Sequence, residues 1–216
     1  MINEIEWKTS NNPIEYDFAV SEMKTRVLEI KKNSASEMIW LLEHNSIFTA
    51  GTSAKLEDLK NSNINFQYTG RGGQWTWHGP GQRVVYLMLN LKNRLQDVKA
   101  YVYALEELII LTLKDFSVKG ARINGQPGVW VKDNNGCDKI AALGIRISSW
   151  ITFHGISINV NPNLDEFNNI VPCGITNSGV TSFYKLGKKI SLKELDISLK
   201  KNFYKVFGNE GLFKLK

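Results

Sequence analysis

The apolar and polar positions divide the chain into helical stretches separated by runs of strand. Ile14, Phe18, Met23, Val27 and Ile30 approximate one apolar face behind Asn12-Pro13, an Asn cap with proline at the first helical position, which predicts a helix ending by Asn33. Met38–Leu42 is short and uninterruptedly apolar, which predicts a buried strand running into polar Glu43-His44-Asn45. Ile64 to Thr69 alternates and predicts a strand, and Arg83 to Leu89 predicts a second. Asp97 opens a helix to about Asp115, with Val98, Tyr101, Leu105, Leu108 and Ile109 facing inward. Gly125 to Gly128 reads as a turn, Val129 to Val131 as a short strand and Asp133 to Gly136 as a hairpin connection. Ile140 to Ile147 and Trp150 to Val160 predict the arms of a β-hairpin turning at Ser148 and Ser149. Leu164 to Ile170 reads as a short irregular or helical segment. Ser191 with Glu194 forms a capping box, so a last helix is predicted from about Leu192 to Phe207. This order predicts one α+β domain over residues 1–216, a mixed, largely antiparallel sheet flanked by helices rather than a doubly wound parallel one.

One stretch resists this reading. Gly70-Arg71-Gly72-Gly73-Gln74-Trp75-Thr76-Trp77-His78-Gly79-Pro80-Gly81-Gln82 is too rich in glycine for ordinary helix or strand, since each glycine gives up packing and loses extra backbone freedom on folding. It is predicted as a loop between two strands whose backbone turns tightly or approaches a ligand closely. Arg71, Gln74, Thr76 and His78 are its side chains able to hold a polar head. The stretch matches neither the phosphate-binding G-x-x-x-x-G-K-[ST] pattern nor a G-x-G-x-x-G turn opening a helix.

Composition changes the picture little. The 216 residues, 43% hydrophobic and 22% charged, suffice for a proper core. Met1 is followed by Ile-Asn-Glu-Ile-Glu rather than a basic region and an apolar run, and no apolar run approaches bilayer length, so a cytoplasmic protein without a membrane span is expected. The net charge of +6 suits an acidic partner, either nucleic acid or an acidic protein. Its lysines scatter along the chain, with a C-terminal enrichment that a solvated helix face explains equally well.

Cys137 and Cys173 form no C-x-x-C and are expected as thiols rather than a disulfide. Cys173, between Pro172 and Gly174, lies outside any amphipathic pattern; it is either an inert buried thiol or a nucleophile. A nucleophilic thiol needs a base or cation beside it, and His44, His78, His154 and Lys139 are the candidates. A His78/His154/Cys173 metal site is disfavoured, because no ligand pair has metal-motif spacing. Lys139 opens the small, apolar run Ile140-Ala141-Ala142-Leu143-Gly144-Ile145-Arg146, which leaves room for a ligand beside it.

Taken together, these residues resemble the lipoyl(octanoyl) transferases of lipoate biosynthesis. The likeness rests on Leu42-Glu43-His44, Arg71 to Thr76, His78 to Gln82, Pro127 to Val131, Lys139 to Arg146, His154-Gly155 with Asn159-Val160, and Pro172-Cys173-Gly174-Ile175. Asn45-Ser46 depart from the prolines expected after Glu-His, and no motif is matched after Phe183. The resemblance implies the fold of biotin and lipoate protein ligases and a catalytic pair of Cys173 and Lys139. It implies an acyl site lined by Arg71, Gly72, Gly73, Gln74, Trp75, Thr76, Trp77, His78, Ala142, Leu143, Gly144, Gly155, Ile156 and Ser157. The implied donor is octanoyl-acyl carrier protein. The acceptors are lipoyl domains of 2-oxoacid dehydrogenase complexes and the glycine cleavage H protein, with no cofactor, metal, nucleic acid or membrane. An ATP-dependent lipoate or biotin ligase of the same fold, an octanoyl amidotransferase between carrier proteins and a basic nucleic-acid module stand as alternatives.

Overall fold

A computed structural model describes residues 5–133, 136–171, 179–208, 211 and 213. Among these, β1 (Glu6–Thr9), β2 (Met38–Leu42), β6 (Gln82–Met88), β7 (Gly120–Ile123), β8 (Gln126–Asp133), β9 (Gly136–Ser148) and β10 (Ile151–Asn159) build one sheet in the order β1-β2-β6-β10-β9-β8-β7. Every pairing in it is antiparallel except β1 with β2. A second sheet, β4-β3-β5, is made of β3 (Ile47–Ala50), β4 (Phe66–Tyr68) and β5 (Trp75–His78). Three α-helices, α1 (Tyr16–Lys31), α2 (Val98–Asp115) and α3 (Leu192–Phe207), and short 3-10 turns at Leu56–Asp58, Leu91–Asn93 and Leu164–Asn169 complete the described elements. The architecture is the expected α+β, with a mixed and largely antiparallel sheet.

The central strands explain why the sheet is covered on both sides. All residues of β2 and β6 are buried. Met38, Trp40, Leu42, Val84, Tyr86 and Met88 pack with α1, while Ile39, Leu41, Val85 and Leu87 join α2 and α3 on the opposite face. An unbroken apolar run is what a strand covered on both faces requires. Among the described residues, no helix is long and apolar enough to cross a membrane.

The helix signals differ in how well they survive tertiary contacts. α3 spans Leu192–Phe207 with Ser191 and Glu194 closing both halves of the capping box, and Asp97 caps α2 by accepting from the Ala100 N–H. In α1 the Asn12-Pro13 signal is overridden. Ile14 donates its N–H to Glu43 O at 2.8 Å and bridges to His44 in parallel, so the chain stays extended and the helix begins at Tyr16. The inward positions become Tyr16, Ala19, Met23, Val27 and Ile30, and Phe18 is 53% exposed. Val98, expected inward on α2, lies in its first turn and is exposed.

Three turns also moved. The glycine stretch is not one loop, because Trp75–His78 is a strand paired with β3, and the chain crosses to the large sheet through Gly79-Pro80-Gly81. The β9–β10 hairpin turns at Ser149 and Trp150, with φ of 52° and 67°, while Ser148 pairs with Ile151 as a strand residue. Positive φ at both central residues is what a tight two-residue hairpin turn needs. The β7–β8 hairpin turns at Gly125, and Gly128 belongs to β8, where a side chain would stand 2.7 Å from Ala141 O and 3.1 Å from Lys139 Cε.

Candidate active site

The glycine stretch lies on β9. Gly72 donates its N–H to Ile145 O at 2.9 Å, and a Cβ on Gly144 would meet Arg71 Cδ and Gly72 O at 3.1 Å each. Backbone therefore meets backbone where the two cross, which only glycine on both sides allows. The Arg71 guanidinium turns toward β3, donating to Thr49 O and Thr49 Oγ1 at 2.8 Å and to Gly72 O at 3.0 Å. These bonds hold the loop in place.

Between this loop and the sheet lies a cavity of about 470 Å³. All the residues named for the acyl site line it except Gly72 and Trp77. Gly72 instead lines a neighbouring cleft of about 1010 Å³. Trp77 points into the cluster around Phe48, Trp75 and Phe167, and its indole N–H donates to Ser46 Oγ at 3.0 Å. A smaller cavity of about 290 Å³ shares Thr76, Ala142 and Ser157 with the first and reaches Lys139. Part of the first cavity's wall is made by the rings of Tyr16, His78, Tyr86 and His154.

Sequence reasoning missed Tyr16 and Tyr86 in this wall. Tyr16 could have been flagged as a polar aromatic at a helix start. Tyr86 sits in an aliphatic strand run with nothing to distinguish it, and only strand pairing carries it to the histidines.

All three histidines of the chain gather here. His44 lies behind the wall, with Nδ1 2.6 Å from Ile14 O and Nε2 2.6 Å from Tyr86 Oη. A carbonyl can only accept, so Nδ1 carries the proton and Nε2 accepts from the tyrosine hydroxyl, a neutral imidazole. Burial lowers its pKa to about 4. His78 donates from Nδ1 to Gln82 Oε1 at 2.6 Å, and burial, aided by nearby His44, lowers its pKa to about 3. His154, at φ 58°, is buried with no hydrogen bond to Nδ1 among the described residues, and burial, then the Arg71 charge, bring it to about 3. Burial penalises the charged ring each time.

A polar relay joins this wall to Lys139. From His78 it runs to Gln82, whose Nε2 donates to Asn159 Oδ1 at 3.0 Å, and Asn159 Nδ2 donates to Thr181 O at 3.0 Å. Thr181 N–H in turn donates to Lys139 O at 2.9 Å, and Lys139 N–H donates to Gly179 O at 3.0 Å. The Lys139 side chain is buried, and its Nζ donates to Pro127 O at 3.1 Å and lies 4.6 Å from the centre of the Trp130 ring. Glu106 of α2 fixes that corner: Oε1 accepts from the Gly128 N–H at 3.1 Å while Oε2 takes Arg122 Nε at 3.1 Å.

Cys173 lies outside the described residues. The described residues that flank it are Val171, whose N–H donates to Asp58 O at 2.7 Å, and Gly179, whose carbonyl accepts from the Lys139 N–H. Cys137, the weaker thiol candidate, lies in β9 opposite Lys132. Among the described residues, no group of three His, Cys, Asp or Glu side chains is arranged to hold a metal ion.

Known proteins share both sequence and fold with this chain. The model of the lipoyl protein ligase A/B catalytic domain matches residues 15–204. The octanoyltransferase of Bartonella quintana (strain Toulouse) is 51% identical over 214 residues, covering 94% of this chain and 87% of that protein. Among solved structures, an archaeal bi-partite lipoate protein ligase from Thermoplasma acidophilum aligns with a TM-score of 0.67 at 12% identity, over 94% of this chain and 84% of that one. Biotin protein ligase from Aquifex aeolicus aligns at 0.51 with 14% identity, over 98% and 74%. At such identities the structures speak for the fold, which is the biotin/lipoate ligase fold expected. With the match spanning most of its length, from α1 into α3, the chain belongs to the lipoyl protein ligase A/B catalytic-domain family.

Proposed function

We propose that this protein is an octanoyltransferase of lipoate biosynthesis, working in the cytoplasm, that takes octanoyl from acyl carrier protein and gives it to a lysine of lipoyl domains. The observation that carries this reading is the cavity beside the glycine loop, adjoined at Thr76, Ala142 and Ser157 by a smaller cavity that reaches the buried side chain of Lys139. The 51% identity to a named octanoyltransferase supports it. The acceptors would be lipoyl domains of 2-oxoacid dehydrogenase complexes and the glycine cleavage H protein.

In the first step Lys139, in its neutral form, takes the proton of the Cys173 thiol as that sulfur attacks the donor's carbonyl carbon. The bond to the carrier sulfur breaks, and that sulfur leaves with the proton that Lys139 returns. In the second, the neutral amine of the acceptor lysine attacks the new thioester, loses a proton toward Lys139, and forms the amide as the Cys173 sulfur departs. Thioester exchange is near balance and amide formation is downhill, so the sequence needs no nucleotide or other cofactor. Chain connectivity favours this pairing, since Gly179 follows Cys173 by six positions, which bounds their separation at roughly 20 Å. Burying the alkyl chain contributes about 0.8 kcal/mol per methylene and favours octanoyl over acetyl. The net charge of +6 suits acidic carrier domains.

Incubation with octanoyl carrier protein in the absence of ATP should give a hydroxylamine-labile octanoyl adduct by intact mass, lost in Cys173→Ala. An adduct that persists in that variant overturns the thioester step. Acylation that requires ATP would instead place the protein with the ligases.

A further inference from the structure

The cleft of about 1010 Å³ adjoins the first cavity, shares Gly73, Gln74, Leu143 and Gly144 with it, and reaches Lys139. Among the described residues its walls are neutral apart from Lys139. Glycine backbone and the apolar side chains of Val102, Leu143, Ile145 and Pro127 form most of it, with the carboxamides of Gln74 and Gln126 set among them. Both carboxamide oxygens, Gln74 Oε1 and Gln126 Oε1, are buried and have no hydrogen-bond donor among the described residues. Buried acceptors left unmade are costly, and rotating each amide toward the cleft lets an N–H on an occupant satisfy it.

These walls select among occupants. A nucleotide brings several negative charges and calls for several cations or a phosphate loop, whereas Lys139 is the one cationic side chain among the described residues of the cleft. An acceptor lysine brings its side-chain donors at one point only, the amine at the end of four methylenes. A pantetheine arm is long, uncharged short of its phosphate, and carries two secondary amides separated by methylenes. We propose that this cleft seats the pantetheine arm of the acyl donor, with Gln126 and Gln74 accepting from its amide N–H groups. The proposal rests on the octanoyltransferase reading and assigns the second cavity a ligand class of its own.

Gln126 also couples the arm to the chemistry. It immediately precedes Pro127, whose carbonyl accepts from Lys139 Nζ, and its own carbonyl accepts from the Trp130 indole N–H at 3.2 Å. An arm held at Gln126 therefore sets the hairpin that orients Lys139.

The test compares two donors with the same acyl group and the same thioester: octanoyl-pantetheine, with both amides, and octanoyl-N-acetylcysteamine, with one and a truncated arm. Single-turnover acyl-enzyme formation, followed by intact mass, should favour the pantetheine donor at least tenfold in kcat/KM. Gln126→Ala should shrink that preference about fivefold or more, and Val102→Phe, which fills the cleft from α2, should do the same by a separate route. Equal rates for the two donors in the unsubstituted protein overturn the proposal, as does an unchanged preference in both variants. Failure of both donors to acylate the protein would instead remove the octanoyltransferase reading on which the proposal stands.

Discussion

The two cavities share Gly73, Gln74, Leu143 and Gly144, yet they are built from opposite materials. The first is walled by rings from α1, β5, β6 and β10, of which His78 and Tyr86 are tied into hydrogen bonds that end on Ile14, Gln82 and Asn159. The second is walled by the glycine loop, a hairpin tip and one face of α2. Buried rings hold a shape, and that suits a device that selects an alkyl chain. Backbone and amides at a hairpin tip yield, and that suits a site where carriers come and go. Changes on the ring-walled side should therefore appear in stability and chain length, and changes on the glycine-walled side in rate.

The largest effect is expected from Lys139→Ala. Losing the amine that moves both protons should slow acylation and transfer by about two to four orders of magnitude, the usual worth of a general acid–base group. Single-turnover rates of the two half-reactions check this, and rates within twofold of the parent would remove Lys139 from the chemistry.

Next comes the response to acid. His44, His78 and His154 have folded pKa values of about 4, 3 and 3, all below the ordinary 6.5, so between those limits the unfolded chain binds more protons. Stability from this source is complete above about pH 6.5 and is lost as pH falls toward the folded values. Each histidine contributes a slope of at most about 1.4 kcal/mol per pH unit. Urea midpoints measured from pH 7 to 5 should fall steadily, and a flat profile would contradict the neutral ring assignments.

His154→Gly should separate shape from stability. Glycine accepts the φ of 58° without strain, and losing the ring enlarges the first cavity. The ratio of dodecanoyl to octanoyl acylation should rise about tenfold, because each added methylene gains up to about 0.8 kcal/mol of burial. An unchanged ratio with a normal melt would place the chain's end elsewhere.

The smallest effect is expected from Glu106→Gln. A carboxamide oxygen can still accept from the Gly128 N–H, but it loses the Arg122 charge that fixes the group, so the Pro127 carbonyl is held less firmly against Lys139. A fall of about threefold in kcat with KM little changed is expected, and Glu106→Ala should fall further. If KM alone moves, Glu106 acts on the cleft rather than on Lys139.

Much of the frame could be read from local signals because those signals stayed local. Ser191 with Glu194, Asp97, and the apolar runs of β2 and β6 depend on near neighbours in the chain, and the fold kept them. Asn12-Pro13 failed because a bridge from Ile14 to residue 44 competed for the same backbone. The site was legible in part because glycine marks close approach from either side: Gly72 and Gly144 stand out in the sequence, and they meet. Tyr16, Tyr86 and the gathering of the histidines were not legible, since strand pairing across the sheet brings them together and no spacing along the chain encodes it.

The buried histidines have a consequence for how the molecule meets its partners. With none of the three rings ionising until well below pH 5, the surplus of 27 lysines and arginines over 21 acidic residues is untouched by histidine between pH 5 and 7. A cell that acidifies modestly would leave the attraction for an acidic carrier unaltered, whereas added salt would screen it.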